Sequence, residues 1–212
     1  MFTLVSFQMT AFTNLSVDSA KAFAKSLGPD FNKQAIPVTP FAETPLFRVT
    51  ANDKSQSFDI SQKRIDCFYS EYAEKNIKDF VAKLRQIPDL GKISRLAINY
   101  TGFVPDEDEK VILNLNKKFG FEKLFGDTCE IMFRTNNRKQ ILELTFNEIV
   151  ECQNSIMQNS STLDEVKSVT FHFDINNVPV DEIKIEKVES FFDLMYKELE
   201  EKINTCCGIV NE

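Results

Sequence analysis

Two stretches of the chain echo one another, and that echo limits the available folds more than any other feature. In Ile93 to Val104, Leu96, Ile98 and Tyr100 alternate with Arg95, Ala97, Asn99 and Thr101. This is the period of two expected of a strand with one buried face. Gly91 and Pro105 punctuate its ends. A shift of 91 residues carries Val5, Phe7 and Met9 onto Leu96, Ile98 and Tyr100, and Gln8 and Thr10 onto Asn99 and Thr101. Thr10-Ala11-Phe12 returns as Thr101-Gly102-Phe103. Further matches follow in order at shorter offsets. Leu46-Phe47-Arg48 returns as Met132-Phe133-Arg134, Phe58-Asp59-Ile60 as Leu142-Glu143-Leu144, and Cys67 as Cys152. Amphipathic segments resemble one another by default, but the ordered series favours internal duplication.

The chain in order predicts two halves, residues 1–90 and 91–212, sharing one continuous domain. In the first half Ser16 caps a helix to Leu27, and the prolines of residues 29–43 make an extended connector. Strands follow over residues 44–50, 57–61 and 65–69, with the apolar phase shifting at Gln62-Lys63. A helix over residues 71–87 ends at Pro88. In the second half the acidic run Asp106–Glu109 suits a helix start, with Ile112, Leu115 and Phe119 facing inward. A strand over residues 128–135 turns at Asn136-Asn137-Arg138, and a return strand breaks at Asn147-Glu148. The last helix, over residues 181–204, has a stripe of Val188, Phe192, Met195 and Leu199. A polar loop over 153–165 and a strand over 166–175 are extra in this half.

Each half therefore reads as strand, helix, three short antiparallel strands, helix, with one extra strand in the second. This is an α+β class, an antiparallel sheet with helices on one face. The arrangement resembles the pseudo-twofold architecture of the TATA-binding protein, or a helix-grip relative. The hairpin symmetry also predicts two equivalent cross-strand ion pairs, Arg48 with Asp59 and Arg134 with Glu143.

Composition narrows function. The chain carries a net charge of −7 and a pI near 5.0, which argues against nucleic acid as partner. The five cysteines, at 67, 129, 152, 206 and 207, fit no zinc framework, and a reducing cytoplasm suits them. Cys67 and Cys152 read as core residues, and Cys206-Cys207 as part of a frayed tail. No basic region precedes the first apolar run, and no apolar stretch approaches the roughly 20 residues of a membrane span. Six glycines form no phosphate loop, and a single histidine builds no histidine-rich metal site, so no cofactor and no metal are expected.

Chemistry must then come from the polar face of the sheet. Ser6, Gln8, Thr10, Arg95, Asn99 and Thr101 share it, with His172 and Asp174 on a later strand. Aromatic residues fall on the opposite phase, against single-strand binding. Gln8, Thr10, Arg95, Asn99, Thr101, His172 and Asp174 are therefore the candidate binding residues. They suit a non-enzymatic binding protein that takes a protein partner or small ligand in a sheet groove. A hydrolase using groove carboxylates and His172 is one alternative, which convergence of His172, Asp174 and Arg95 would favour. Nucleic-acid binding through the sheet is another.

Phe58-Asp59-Ile60-Ser61-Gln62-Lys63-Arg64 leading to Tyr69, then Arg95–Tyr100, then the strand and helix from Val169, resemble a sporadically distributed family of uncharacterised prokaryotic proteins. Thr101 stands where that family has Asn. The resemblance covers most of the chain and implies a defence-associated or mobile gene with an interaction or regulatory role.

Overall fold

The computed structural model describes residues 2–36, 46–121, 123, 130–158 and 163–210. Cys129 lies outside them. The first half runs β1 (Thr3–Phe12), α1 (Val17–Ser26), β2 (Phe31–Ala35), β3 (Phe47–Ala51), β4 (Gln56–Ile60), β5 (Arg64–Tyr69) and α2 (Lys75–Leu84). The second runs β6 (Arg95–Pro105), α3 (Lys110–Phe119), β7 (Met132–Ile141), β8 (Leu144–Gln158), β9 (Glu165–Asn177) and α4 (Ile185–Val210).

All nine strands join one antiparallel sheet in the order β2-β3-β4-β5-β1-β6-β9-β8-β7. The two strands that echo one another in sequence pair at its centre, Phe7 opposite Tyr100 and Met9 opposite Ile98. Outward from β1 the sequence is β5, β4, β3, β2; outward from β6 it is β9, β8, β7.

One apolar layer covers one face. Phe7, Met9, Phe58, Ile65, Cys67, Leu96, Ile98, Phe171 and Phe173 point into it and are buried. The helices α1 to α4 pack there. Phe23 of α1 meets Phe58, Phe80 of α2 meets Phe192 of α4, Phe119 of α3 meets Phe133, and Phe191 of α4 meets Phe146. The helix ends are capped as the sequence implies. Ser16 Oγ accepts the Ser19 amide at 2.9 Å, and buried Asp106 accepts those of Val111 and Ile112 at 2.8 and 3.1 Å.

Several expectations are corrected. Among the described residues the additional strand is in the first half: the supposed connector contains β2, paired along its length with β3. Residues 166–175 are no appendage, because β9 lies beside β6 at the heart of the second half. The chain does not break at Asn147-Glu148 either; β8 pairs with β9 without interruption from Phe146 to Gln158. Cys152 lies in β8 and Cys67 in β5, so their positions do not correspond, although both are buried. Cys206 and Cys207 lie within α4 rather than in a frayed tail.

Val5 was expected inside and is 50% exposed. A bulge between Leu4 and Ser6 in the pairing with β6 turns it out, while Leu4 packs against the core. Phe119 was expected to face inward and is 45% exposed, its ring lying against Phe121 and Phe133. The hairpin turn falls at Leu142-Glu143, not at Asn136–Arg138. That register puts Phe133 within 5.1 Å of the Phe119 ring, and this apolar contact outweighs the turn preference of two asparagines. Arg134 is consequently opposite Glu151 and bonds it at 2.6 Å, while Glu143 pairs with Lys187 of α4. The first predicted pair forms: Arg48 Nε and Nη2 donate to the two Asp59 oxygens at 2.7 and 2.6 Å.

Candidate functional site

The face without helices carries every residue that alternation assigned to it. Cross-strand rows define it. Gln8, Asn99 and Asp174 stand side by side in one row, flanked by Phe68 of β5 and Ile149 of β8. The next row holds Ser6, Thr101, His172, Glu151 and Arg134. On the other side run Arg48, Asp59, Asp66, Thr10, Ala97, Asn176, Asn147 and Arg138. Arg64, Phe12 and Arg95 form the last row.

Polar groups on this face are bonded mainly to each other. Asp66, 4% exposed, accepts from Thr10 Oγ1 at 2.8 Å, Gln8 Nε2 at 2.9 Å and Arg64 Nε at 2.9 Å. Burial nevertheless raises the Asp66 pKa above the usual carboxylate value, with the Asp59 charge adding to it, against the lowering effect of Thr10, Arg64 and Gln8. Asn176 Nδ2 donates to Asp174 at 2.9 Å, and Ser155 and Thr170 share a bond of 2.6 Å. The Arg95 guanidinium sits 4.9 Å from the Phe12 ring centre, and its buried Nε has no hydrogen-bond partner.

This geometry separates the proposed catalytic group. Thr101 Oγ1 and His172 Nδ1 are 2.8 Å apart, but Asp174 bonds Asn176 and Glu151 bonds Arg134. No carboxylate among the described residues orients the imidazole, as an activated base requires. Arg95 is four strand residues from Asn99, about 13 Å along the strand, so it does not join His172 and Asp174. Asp59 and Glu143, carboxylates at corresponding places in the two predicted hairpins, lie on a strand and in a turn respectively. Among the described residues no group of three or more His, Cys, Asp or Glu is placed to hold a metal ion.

Two further features characterise the face. Phe12, Phe68 and Phe103 all project from it, half-buried, on the adjacent central strands β1, β5 and β6. The expectation that aromatics keep to the other phase is therefore corrected: Phe12 shares the parity of Gln8 and Thr10, Phe103 that of Asn99 and Thr101, and Phe68 stands opposite Gln8, so strand alternation itself turns these three out. Secondly, cations are sorted by type. Arg48, Arg64, Arg95, Arg134 and Arg138 lie on this face, five of the six arginines in the chain. The strand lysines, Lys33, Lys139 and Lys167, stand opposite Val49, Phe146 and Ile156 on the other face. Against the five arginines stand Asp59, Asp66, Asp174 and Glu151, so the strand positions here sum to +1 in a chain of −7.

A separate polar cluster lies on the helix side, beside a cleft of about 430 Å³ lined by Gln56, Tyr69, Asn76 and Asp79. Asp79 accepts from Gln56 Nε2 at 2.6 Å, from Tyr69 Oη at 2.9 Å and from Lys83. Burial alone would raise the Asp79 pKa, but these three bonds outweigh it and hold the carboxyl below its ordinary value. Every member has a partner, which is the pattern of a structural network.

Among the described residues no helix is long and apolar enough to cross a membrane. No protein-family model matches the chain, and no curated protein matches it.

Proposed function

We propose that the protein is a non-enzymatic binding protein whose recognition surface is the helix-free sheet face, and that its occupant is another protein. The segregation of arginine carries this reading. Interfaces between proteins are enriched in arginine and aromatic residues and depleted in lysine. This face has five arginines, three half-buried phenylalanines and no strand lysine. Guanidinium groups already held in plane by carboxylates are presented with little further loss of side-chain freedom. The breadth of the polar rows supports a macromolecular partner over a small ligand, which is held in a concave apolar pocket. The outward strand order, with the last strand of each half innermost and β2 as the one addition, supports duplication, with β9 as the counterpart of β5. Membership of the sporadically distributed family and a cytoplasmic location belong to the same reading.

A second reading, single-stranded nucleic acid, is favoured by Phe12, Phe68 and Phe103 on neighbouring strands, which are suited to base stacking. Four carboxylates on the same face oppose it. One experiment separates the two. Tagged protein and its Phe68→Ser and Arg95→Ala variants are used to capture partners from an extract of the native host treated with nuclease. A protein retained by the wild type and lost with both variants supports the proposal. Retention unchanged by either variant refutes it. Tight, salt-sensitive binding of a labelled oligothymidine, lost with Phe68→Ser, establishes the second reading instead.

A further inference from the structure

The outer edge of β7 is distinct from the rows of Phe68 and Arg95 described above. It ends the sheet, and among the described residues nothing pairs with it. Its ten residues pair with β8 in one unbroken register, without a bulge, a proline or a glycine. Most sheet edges are protected by brevity, bulges or proline, and this one has none of those protections.

The two-residue turn fixes which backbone groups are free. Ile141 and Leu144 close the hairpin as a hydrogen-bonded pair, so odd-numbered residues of β7 bond inward to β8. The Asn154 amide donating to the Ile131 carbonyl at 3.0 Å continues that pattern. The amides and carbonyls of Arg134, Asn136, Arg138 and Gln140 therefore face outward. Their side chains project from the helix-free face, and all four residues are exposed.

Charge selects the occupant. β7 carries Arg134, Arg138 and Lys139 and no carboxylate. Two copies of β7 paired antiparallel about Asn136 would set Arg134 opposite Arg138 of the other chain, like charge against like. The edge thus resists its own copy and accepts the opposite sign. We propose that β7 takes an extended segment of a partner protein as a tenth strand, with carboxylates four residues apart that meet Arg134 and Arg138. This deepens the reading of the protein as a binding module by naming the form of its partner.

The test uses the full chain and a blocked peptide, acetyl-Thr-Glu-Val-Thr-Val-Glu-Thr-amide, with a control in which both Glu are Lys. Asn136→Pro is the diagnostic variant. It deletes an outward amide, which an edge strand tolerates, so the melting temperature should stay at that of the wild type. Calorimetric titration should show the Glu peptide binding the wild type about tenfold more tightly than the Lys peptide, from two exposed ion pairs and the loss of two repulsions. Asn136→Pro should abolish binding, while Val17→Ser, at an exposed position of α1, should leave it unchanged. Failure of the Glu peptide to bind in the millimolar range overturns the proposal, as does equal binding of the two peptides. So does full binding by a folded Asn136→Pro variant, or a concentration-dependent dimer that Asn136→Pro dissociates. Because Phe68 and Arg95 are remote from this edge, these outcomes are independent of the capture experiment.

Discussion

Gly102 has no room for a side chain. A Cβ there would stand 2.8 Å from Tyr100 Cε1 and 3.1 Å from the Thr3 carbonyl oxygen. The Tyr100 ring is itself held between Tyr72 and Phe173, at centroid distances of 5.3 and 6.1 Å. Gly102→Ala should therefore cost about 1–3 kcal/mol in urea unfolding. Asp79→Ala should cost a similar amount, about 1–3 kcal/mol at neutral pH, because Gln56, Tyr69 and Lys83 lose their common acceptor. The sign of its pH dependence follows from the lowered pKa. The stabilisation is present above the ordinary value of 3.8 and is lost as pH falls below it, so the gap between variant and wild type should close in acid. Asp66 acts in the opposite sense. Its raised pKa means that stability declines as pH rises from the unfolded to the folded value. A double-mutant cycle on Arg48 and Asp59, 52% and 14% exposed, should return about 0.2–1 kcal/mol. At this scale the sequence was informative about faces and less so about partners. Gln8, Thr10, Arg95, Asn99, Thr101, His172 and Asp174 share a face because a strand's alternation needs no knowledge of its neighbours. Which carboxylate meets Arg134 depends on register, which a single strand does not contain.

Among the elements, the β7–β8 hairpin shows where local chemistry misleads. Asn136-Asn137 has the residues of a turn, yet the chain runs straight through it as strand. It turns instead at Leu142, whose φ of 52° is costly for a branched apolar residue and whose side chain is 66% exposed. Leu142→Gly should therefore raise stability by about 0.5–1 kcal/mol, read as a higher urea midpoint with unchanged slope. The helices were easier to read. Val188, Phe192, Met195 and Leu199 recur at helical spacing and are all fully buried, so stripe and packing agree. β2 was missed because Phe31–Ala35 is exposed or half-buried throughout and offers no alternation to detect. The same weakness hid the true length of β8, whose distal residues are mostly polar and owe their place to pairing with β9.

Across the whole molecule, protection should follow distance from the central pair. Amide exchange should be slowest at Phe7–Ala11 and Leu96–Tyr100, and near the unfolded rate at Arg134, Asn136, Arg138 and Gln140, as hydrogen-exchange mass spectrometry with peptide-level fragmentation can resolve. The strand order has a further consequence for the chain as it is made. β6 and the β7–β8 hairpin precede β9 in sequence, yet β9 lies between them in the sheet. Until Glu165–Asn177 has left the ribosome, β6 keeps one bare edge, the hairpin floats with two, and three strands' worth of apolar side chains lack their neighbour. The interval between the emergence of β8 and that of β9 is thus the one in which a nascent chain is most prone to pair with the wrong strand. A chaperone that favours unpaired β edges would find its substrate then, and lose it once β9 closes the gap.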